Sequence, residues 1–254
     1  MDEFDDLQPT PSAEGDLDLC YRGTVELDPV LWTMGHELLR LNVSFNKLLS
    51  IAGELGDLKL LVELNLACNE LSALPEEMSK LNQLRVLRCN GNRIEKLPRD
   101  IGNCIALEEL RASENRLPYL PDSIGQLRKL RVLELMSNRL EMLPYDISEI
   151  ETLEVVNCDL NPTMDDFIPM KLQRNTAFIM WICKTCLDHE RAAATIQESN
   201  DNLADRFRMM QLQAQKYQHK LEQANESRAQ VASDVDKKNN SMGGMLKTAI
   251  CAVS

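Results

Sequence analysis

The sequence predicts an α/β fold, a right-handed β-α solenoid bent as a horseshoe, of about six to seven 23-residue units and followed by a long C-terminal α-helix. Two observations carry this expectation. Asn46, Asn69, Asn92, Asn115, Asn138 and Asn161 stand 23 residues apart with no insertion or deletion, and apolar residues recur at fixed offsets around each. Between Pro169 and Gly243, 73 residues contain neither Pro nor Gly and are rich in Gln, Lys, Arg, Glu, Ala and Met, the composition of a helix.

Residues 1–15 come first. MDEFDDLQPTPSAEG is acidic and is read as a disordered lead-in, because a signal peptide would be basic and then apolar. No run of 18 apolar residues occurs, so neither a secreted nor a membrane-spanning chain is expected. The eight cysteines lack the dense spacing of a disulfide framework and read as reduced thiols. A formal charge of −12 excludes the basic stripe that a nucleic-acid groove needs.

The solenoid is expected over residues 16–165. Around each Asn the frame is the same. Leu61, Leu64 and Leu66 stand eight, five and three residues before Asn69, and Leu130, Leu133 and Leu135 do so before Asn138. Leu48, Leu71, Ile94, Leu117 and Leu140 follow the Asn by two, and Leu74-Pro75, Leu97-Pro98, Leu120-Pro121 and Leu143-Pro144 follow by five. The alternation before the Asn makes a short strand with apolar residues on one face. The Asn side chain can satisfy turn backbone groups that would otherwise be buried without partners. Proline holds the preceding Leu extended. No unit could bury its apolar face alone, so the units stack in parallel. Upstream, GDLDLCYRGTVELDPVLW fits loosely, with Arg22 in the place of the Asn and 24 residues before Asn46, and is read as a degenerate cap.

This frame is that of a leucine-rich repeat, LxxLxxLxLxxNxLxxLPxxIGxL. It resembles the intracellular Ras-group leucine-rich-repeat proteins, including the Ras-suppressor and Ras-scaffold types, through return arms that here read LPEEMSKL, LPRDIGNC, LPDSIGQL and LPYDISEI. The resemblance implies a noncatalytic scaffold or adaptor touching a small GTPase, phosphatase or kinase. In such a solenoid the outward strand residues form the concave binding face. Those residues include Arg40, Glu63, Arg88, Glu109, Arg111, Glu134 and Met136, the expected protein-docking positions, with Val132 and Val155 beside Met136 as an apolar spot. Cross-strand ion pairing is the alternative role for the charged members.

Residues 166–236 are expected to begin as a helix that covers the open end of the core through Phe178 and Trp181. They continue with a heptad-like seam from Ile196 to Val235 that needs a partner: a second copy, another protein, or the solenoid itself. Cys183 and Cys186 with His189 invite redox and zinc readings. Both fail, since the pair sits inside a helix and no second ligand pair completes a site. Three dispersed histidines and the lack of a glycine-rich phosphate loop leave no catalytic residues, no metal and no cofactor to expect, and no small-molecule substrate.

Residues 237–254 hold Lys237, Lys238 and Lys247 and no acid, and Gly243-Gly244 separates them from the helix. They finish in Cys251, Ala252, Val253 and Ser254, which resembles a CaaX prenylation box of the farnesylated class. Cys251 is the expected lipid-attachment residue. One lipid gives marginal, reversible membrane binding, so a second contribution is required. The expectation is a cytoplasmic, peripherally membrane-associated adaptor. A soluble coiled-coil component of a cytoskeletal or ciliary assembly, or a noncatalytic phosphatase subunit, is the alternative.

Overall fold

The computed structural model describes residues 10–195 and 210–223. The chain divides into two units, 1–198 and 199–254. In the first, seven three-residue strands form one open parallel sheet in sequential order: β1 (Asp16–Asp18), β2 (Arg40–Asn42), β3 (Glu63–Asn65), β4 (Val86–Arg88), β5 (Glu109–Arg111), β6 (Val132–Glu134) and β7 (Val155–Asn157). Leu64 pairs with Leu87, Leu87 with Leu110, and Leu110 with Leu133, so the 23-residue interval of the sequence is the register of the sheet. The expected solenoid is borne out, and β1 is its degenerate first rung: Asp16 pairs with Arg40, an offset of 24.

The inward columns are buried as the spacing demands. Leu61, Leu84, Leu107 and Leu130 have no exposed surface, nor have Leu64, Leu87, Leu110 and Leu133, nor Leu48, Leu71, Ile94, Leu117 and Leu140. Fully burying one such side chain contributes about 1.5–3 kcal/mol, and the columns are continuous from unit to unit.

The return arms differ from the expected helices. They are short 3-10 turns, Gly53–Asp57, Glu76–Lys80, Ile101–Asn103, Asp122–Gln126 and Tyr145–Glu149. Each is closed by a backbone N–H reaching three residues back, as Leu81 does to Met78 at 3.0 Å. A 23-residue unit leaves about five residues for this arm, and an i→i+3 pattern closes within that length where an α-helix does not. Arms stack so closely that a Cβ on Gly102 would lie 2.2 Å from the Ser123 carbonyl oxygen and one on Gly125 would lie 2.6 Å from the Asp146 Cβ.

The array closes on residues 170–195. Met170–Leu172 is another 3-10 turn. The helix α1 (Thr176–Thr195) starts beyond it, where the Asn175 side chain accepts the Phe178 N–H at 2.9 Å. Phe178, Ile179, Ile182, Cys183, Cys186 and Leu187 form its buried face, against the Tyr145–Glu149 turn and β7. The outer edge of β7 is hydrogen-bonded by the same segment. The Val156 N–H donates to the Thr176 hydroxyl at 2.9 Å, and the Cys158 N–H to the Gln173 carbonyl at 2.9 Å.

In the second unit, residues 210–223 are helical, with Ala214 buried, Met210, Tyr217 and Leu221 half-buried, and Leu212, His219 and Lys220 exposed. The rest of the heptad-like seam lies outside the described residues. No helix among the described residues is long and apolar enough to cross a membrane.

Candidate protein-docking face

Each strand offers alternate side chains to the outer sheet face, and the fold brings Arg40, Glu63, Arg88, Glu109, Arg111, Glu134 and Met136 together there. The charged groups are mutually engaged. Arg40 Nε lies 2.7 Å from Asp16, Arg88 lies 3.6 Å from Glu63, and Arg111 sits between Glu109 at 3.2 Å and Glu134 at 2.6 Å. These pairs are part-exposed and screened by solvent, so they chiefly fix side-chain orientation. Asp18, in register with Asn42, has its carboxyl held below its ordinary value by hydrogen bonds from the Cys20 thiol and backbone N–H, with Asn42 adding a further one.

Toward β7 the face turns apolar. Val132 and Val155 are directly paired in register, Met136 is half-buried, and Val155 is 42% exposed. Arg174 closes this end by pairing with Asp159. A hydrophobic spot rimmed by oriented charges is what a protein surface can use, since the apolar centre contributes affinity and the rim contributes register.

The face is held by the asparagine ladder beneath it. The Asn115 amide donates to the carbonyls of Cys89, Ala112 and Ser113 at 3.0, 3.1 and 3.1 Å, and its oxygen accepts the Ile94 N–H at 2.9 Å. Asn69, Asn92, Asn138 and Asn161 repeat this arrangement, each reaching back to the previous unit. Asn46 does it at the cap with both Arg22 and Thr24 N–H groups, at 3.0 and 3.1 Å. Every residue preceding these asparagines is in the left-handed region: Phe45, Cys68, Gly91, Glu114, Ser137 and Leu160, with Tyr21 in the cap. Tyr21 and Phe45 stack there, with ring centroids 4.4 Å apart.

Cys183 and Cys186 are packing residues of α1. Burial raises both thiols, Cys186 to about 12, which opposes the thiolate that redox chemistry and metal binding use. His189 is exposed. Among the described residues no group of three His, Cys, Asp or Glu side chains is arranged to hold a metal ion. Cys251, Ala252, Val253 and Ser254 lie outside the described residues.

A second surface was missed by the spacing argument. Tyr119 and Met142 occupy the same position, four residues after the Asn, in consecutive units, and are 59% and 43% exposed. Earlier units have Ser50, Ala73 and Lys96 there, so a change from small or polar to large apolar side chains was the available signal.

Comparison with known proteins agrees with this architecture. The Leucine Rich Repeat family model matches residues 83–104. No curated protein matches the chain. Among solved structures, a leucine-rich-repeat protein of Leptospira interrogans is 39% identical over 54% of this chain and 35% of its own, with a TM-score of 0.52. A TDR receptor is 28% identical over 54% of this chain and 24% of its own, with a TM-score of 0.50. The chain thus spans about a third and a quarter of the lengths of these two proteins. The protein carries a leucine-rich-repeat fold.

Proposed function

We propose that this chain is a noncatalytic adaptor that holds a protein client on the outer face of its sheet. The observation that carries the reading is the Val132–Val155–Met136 spot: an exposed Val155 between half-buried Val132 and Met136, at one end of a face whose charged groups are otherwise ion-paired and oriented. A signalling protein such as a small GTPase, kinase or phosphatase is the client class implied by the resemblance of the return arms. The test is co-purification from cells of full-length protein against Val155→Asp and Arg111→Glu. Both positions are part-exposed, so folding is retained, and a client recovered equally with all three chains would overturn the reading.

The same proposal includes a membrane tether at Cys251. Where Ser254 carries the free carboxylate, the Cys251 thiol is the group a prenyltransferase alkylates, and Lys237, Lys238 and Lys247 would add an attraction of about 1 kcal/mol each to an anionic leaflet. The chain's net charge of −12, these lysines included, opposes them, so the client or a second helix supplies the remaining attachment. Membrane fractionation of wild type against Cys251→Ser tests this part. Equal partition into the soluble fraction would remove it. The heptad-like spacing of Met210, Ala214, Tyr217 and Leu221 is what a helix partner would use as that second contribution.

A further inference from the structure

We infer a second docking surface, on the flank where each unit leaves its Asn turn, for a partner segment that carries Lys or Arg beside an aliphatic side chain. The flank holds an open groove of ≈ 460 Å³ between the last two return arms, closed at one end by α1. Its apolar surface comes from Tyr119, Met142 and Tyr145, and its charged groups are Asp122, Asp146 and Glu190, with no cation among the lining residues.

The contrast with the outer sheet face identifies the occupant. There Arg40, Arg88 and Arg111 are each engaged by carboxylates. Here none of the three carboxylates forms an ion pair among the described residues. Uncompensated like charges around an apolar surface repel one another, and a cationic partner removes that repulsion while its aliphatic carbon covers Tyr119 and Met142. Exposed large apolar side chains in adjacent rungs, rather than scattered singly, mark such a contact. The floor is already set. Tyr145 packs on Phe167 with ring centroids 6.1 Å apart, and burial together with Cys186 and Glu190 pushes its hydroxyl up to about 12.

The groove also has a direction. It continues past Tyr119 and Leu120 into a second depression, where Lys96 and Arg99 stand with Glu76 and Asp100. With Asp122, which lines both depressions, the two cations there face three carboxylates, whereas the α1 end has carboxylates and no cation. A bound segment therefore places its basic residues toward Glu190 and its neutral residues toward Lys96. This surface is separate from the outer sheet face, so it can be engaged while a client occupies that face.

The test uses the full chain and a fluorescently labelled 12-residue probe peptide of alternating Lys and Leu, with a Glu and Leu peptide as its counterpart, followed by anisotropy in physiological salt. The Lys peptide is expected to bind and the Glu peptide not. Tyr119→Ser with Met142→Ser, and separately Asp122→Asn with Asp146→Asn and Glu190→Gln, should each weaken the Lys peptide at least tenfold. Glu63→Gln with Glu109→Gln and Glu134→Gln removes the same charge from the outer sheet face and should leave the affinity within twofold. Equal loss in that control would show general attraction to an acidic molecule and overturn the inference. So would self-association, seen by sedimentation, that the Tyr119 and Met142 variants abolish, since the occupant would then be a second copy. Neither result bears on the client of the outer face.

Discussion

Asn115 illustrates how one side chain serves two units. Replacing it with Ala strips the Ile94 N–H of its acceptor and three carbonyls of a donor in a site only 7% exposed. Asn115→Ala should therefore lower unfolding free energy by about 2–3 kcal/mol, measured by urea titration. A loss below about 0.5 kcal/mol would mean that water replaces the ladder. The residue just before each Asn makes a complementary prediction. Gly91 adopts φ 66 without penalty, whereas Glu114 adopts φ 57 with a side chain that resists it. Gly91→Ala should cost about 1 kcal/mol and Glu114→Gly should gain about 0.5 kcal/mol in the same titration. The asparagines were legible in the sequence because they are one residue type at one interval. The left-handed position was not, because Tyr, Phe, Cys, Gly, Glu, Ser and Leu all occupy it and only Gly91 carries a conformational signal. Backbone hydrogen bonding around the Asn imposes the conformation whatever side chain is present.

At the scale of the element, strand and return arm differ in how far the sequence discloses them. Strand positions follow from alternating Leu residues whose burial allows one register only. The return arms were expected to be helical, and their 3-10 geometry follows from length rather than from composition, since residues such as Glu76-Glu77-Met78 suit an α-helix equally well. Their packing yields a sharp test. Gly102 meets a backbone carbonyl that cannot rotate away, so Gly102→Ala should lower stability by about 1–3 kcal/mol, whereas Ser79, at the equivalent place one unit earlier, keeps its Cβ and hydrogen-bonds the Glu76 carbonyl at 2.8 Å. An unchanged denaturation midpoint for Gly102→Ala would refute the close stacking of the arms. The flank groove also belongs to this scale. It was not read from the sequence because its column, Ser50, Ala73, Lys96, Tyr119 and Met142, shares no residue type.

For the whole molecule, the buried thiols make stability depend on alkaline pH. Burial raises Cys104 to about 11 and Cys89 and Cys158 to about 12, from an ordinary value of 9.0. In the unfolded chain these thiols ionise near pH 9, while in the folded chain they stay protonated. The unfolded state therefore releases more protons, and the stability present below pH 9 is lost as pH rises toward 12, by about 1.4 kcal/mol per pH unit for each thiol. Urea midpoints should fall between pH 8 and pH 10, with a shallower fall in Cys89→Ala; a pH-independent midpoint over that range would refute the burial of these groups in the folded state.

The bonds from Thr176 and Gln173 to β7 carry a consequence for solubility. A parallel sheet with an exposed terminal rung offers unpaired N–H groups that can recruit a strand from another molecule. Here the Val156 and Cys158 N–H groups already have partners drawn from the segment leading into α1. That segment thus guards the sheet against edge-to-edge aggregation, and a chain truncated before Gln173 would lose this protection even with every repeat intact.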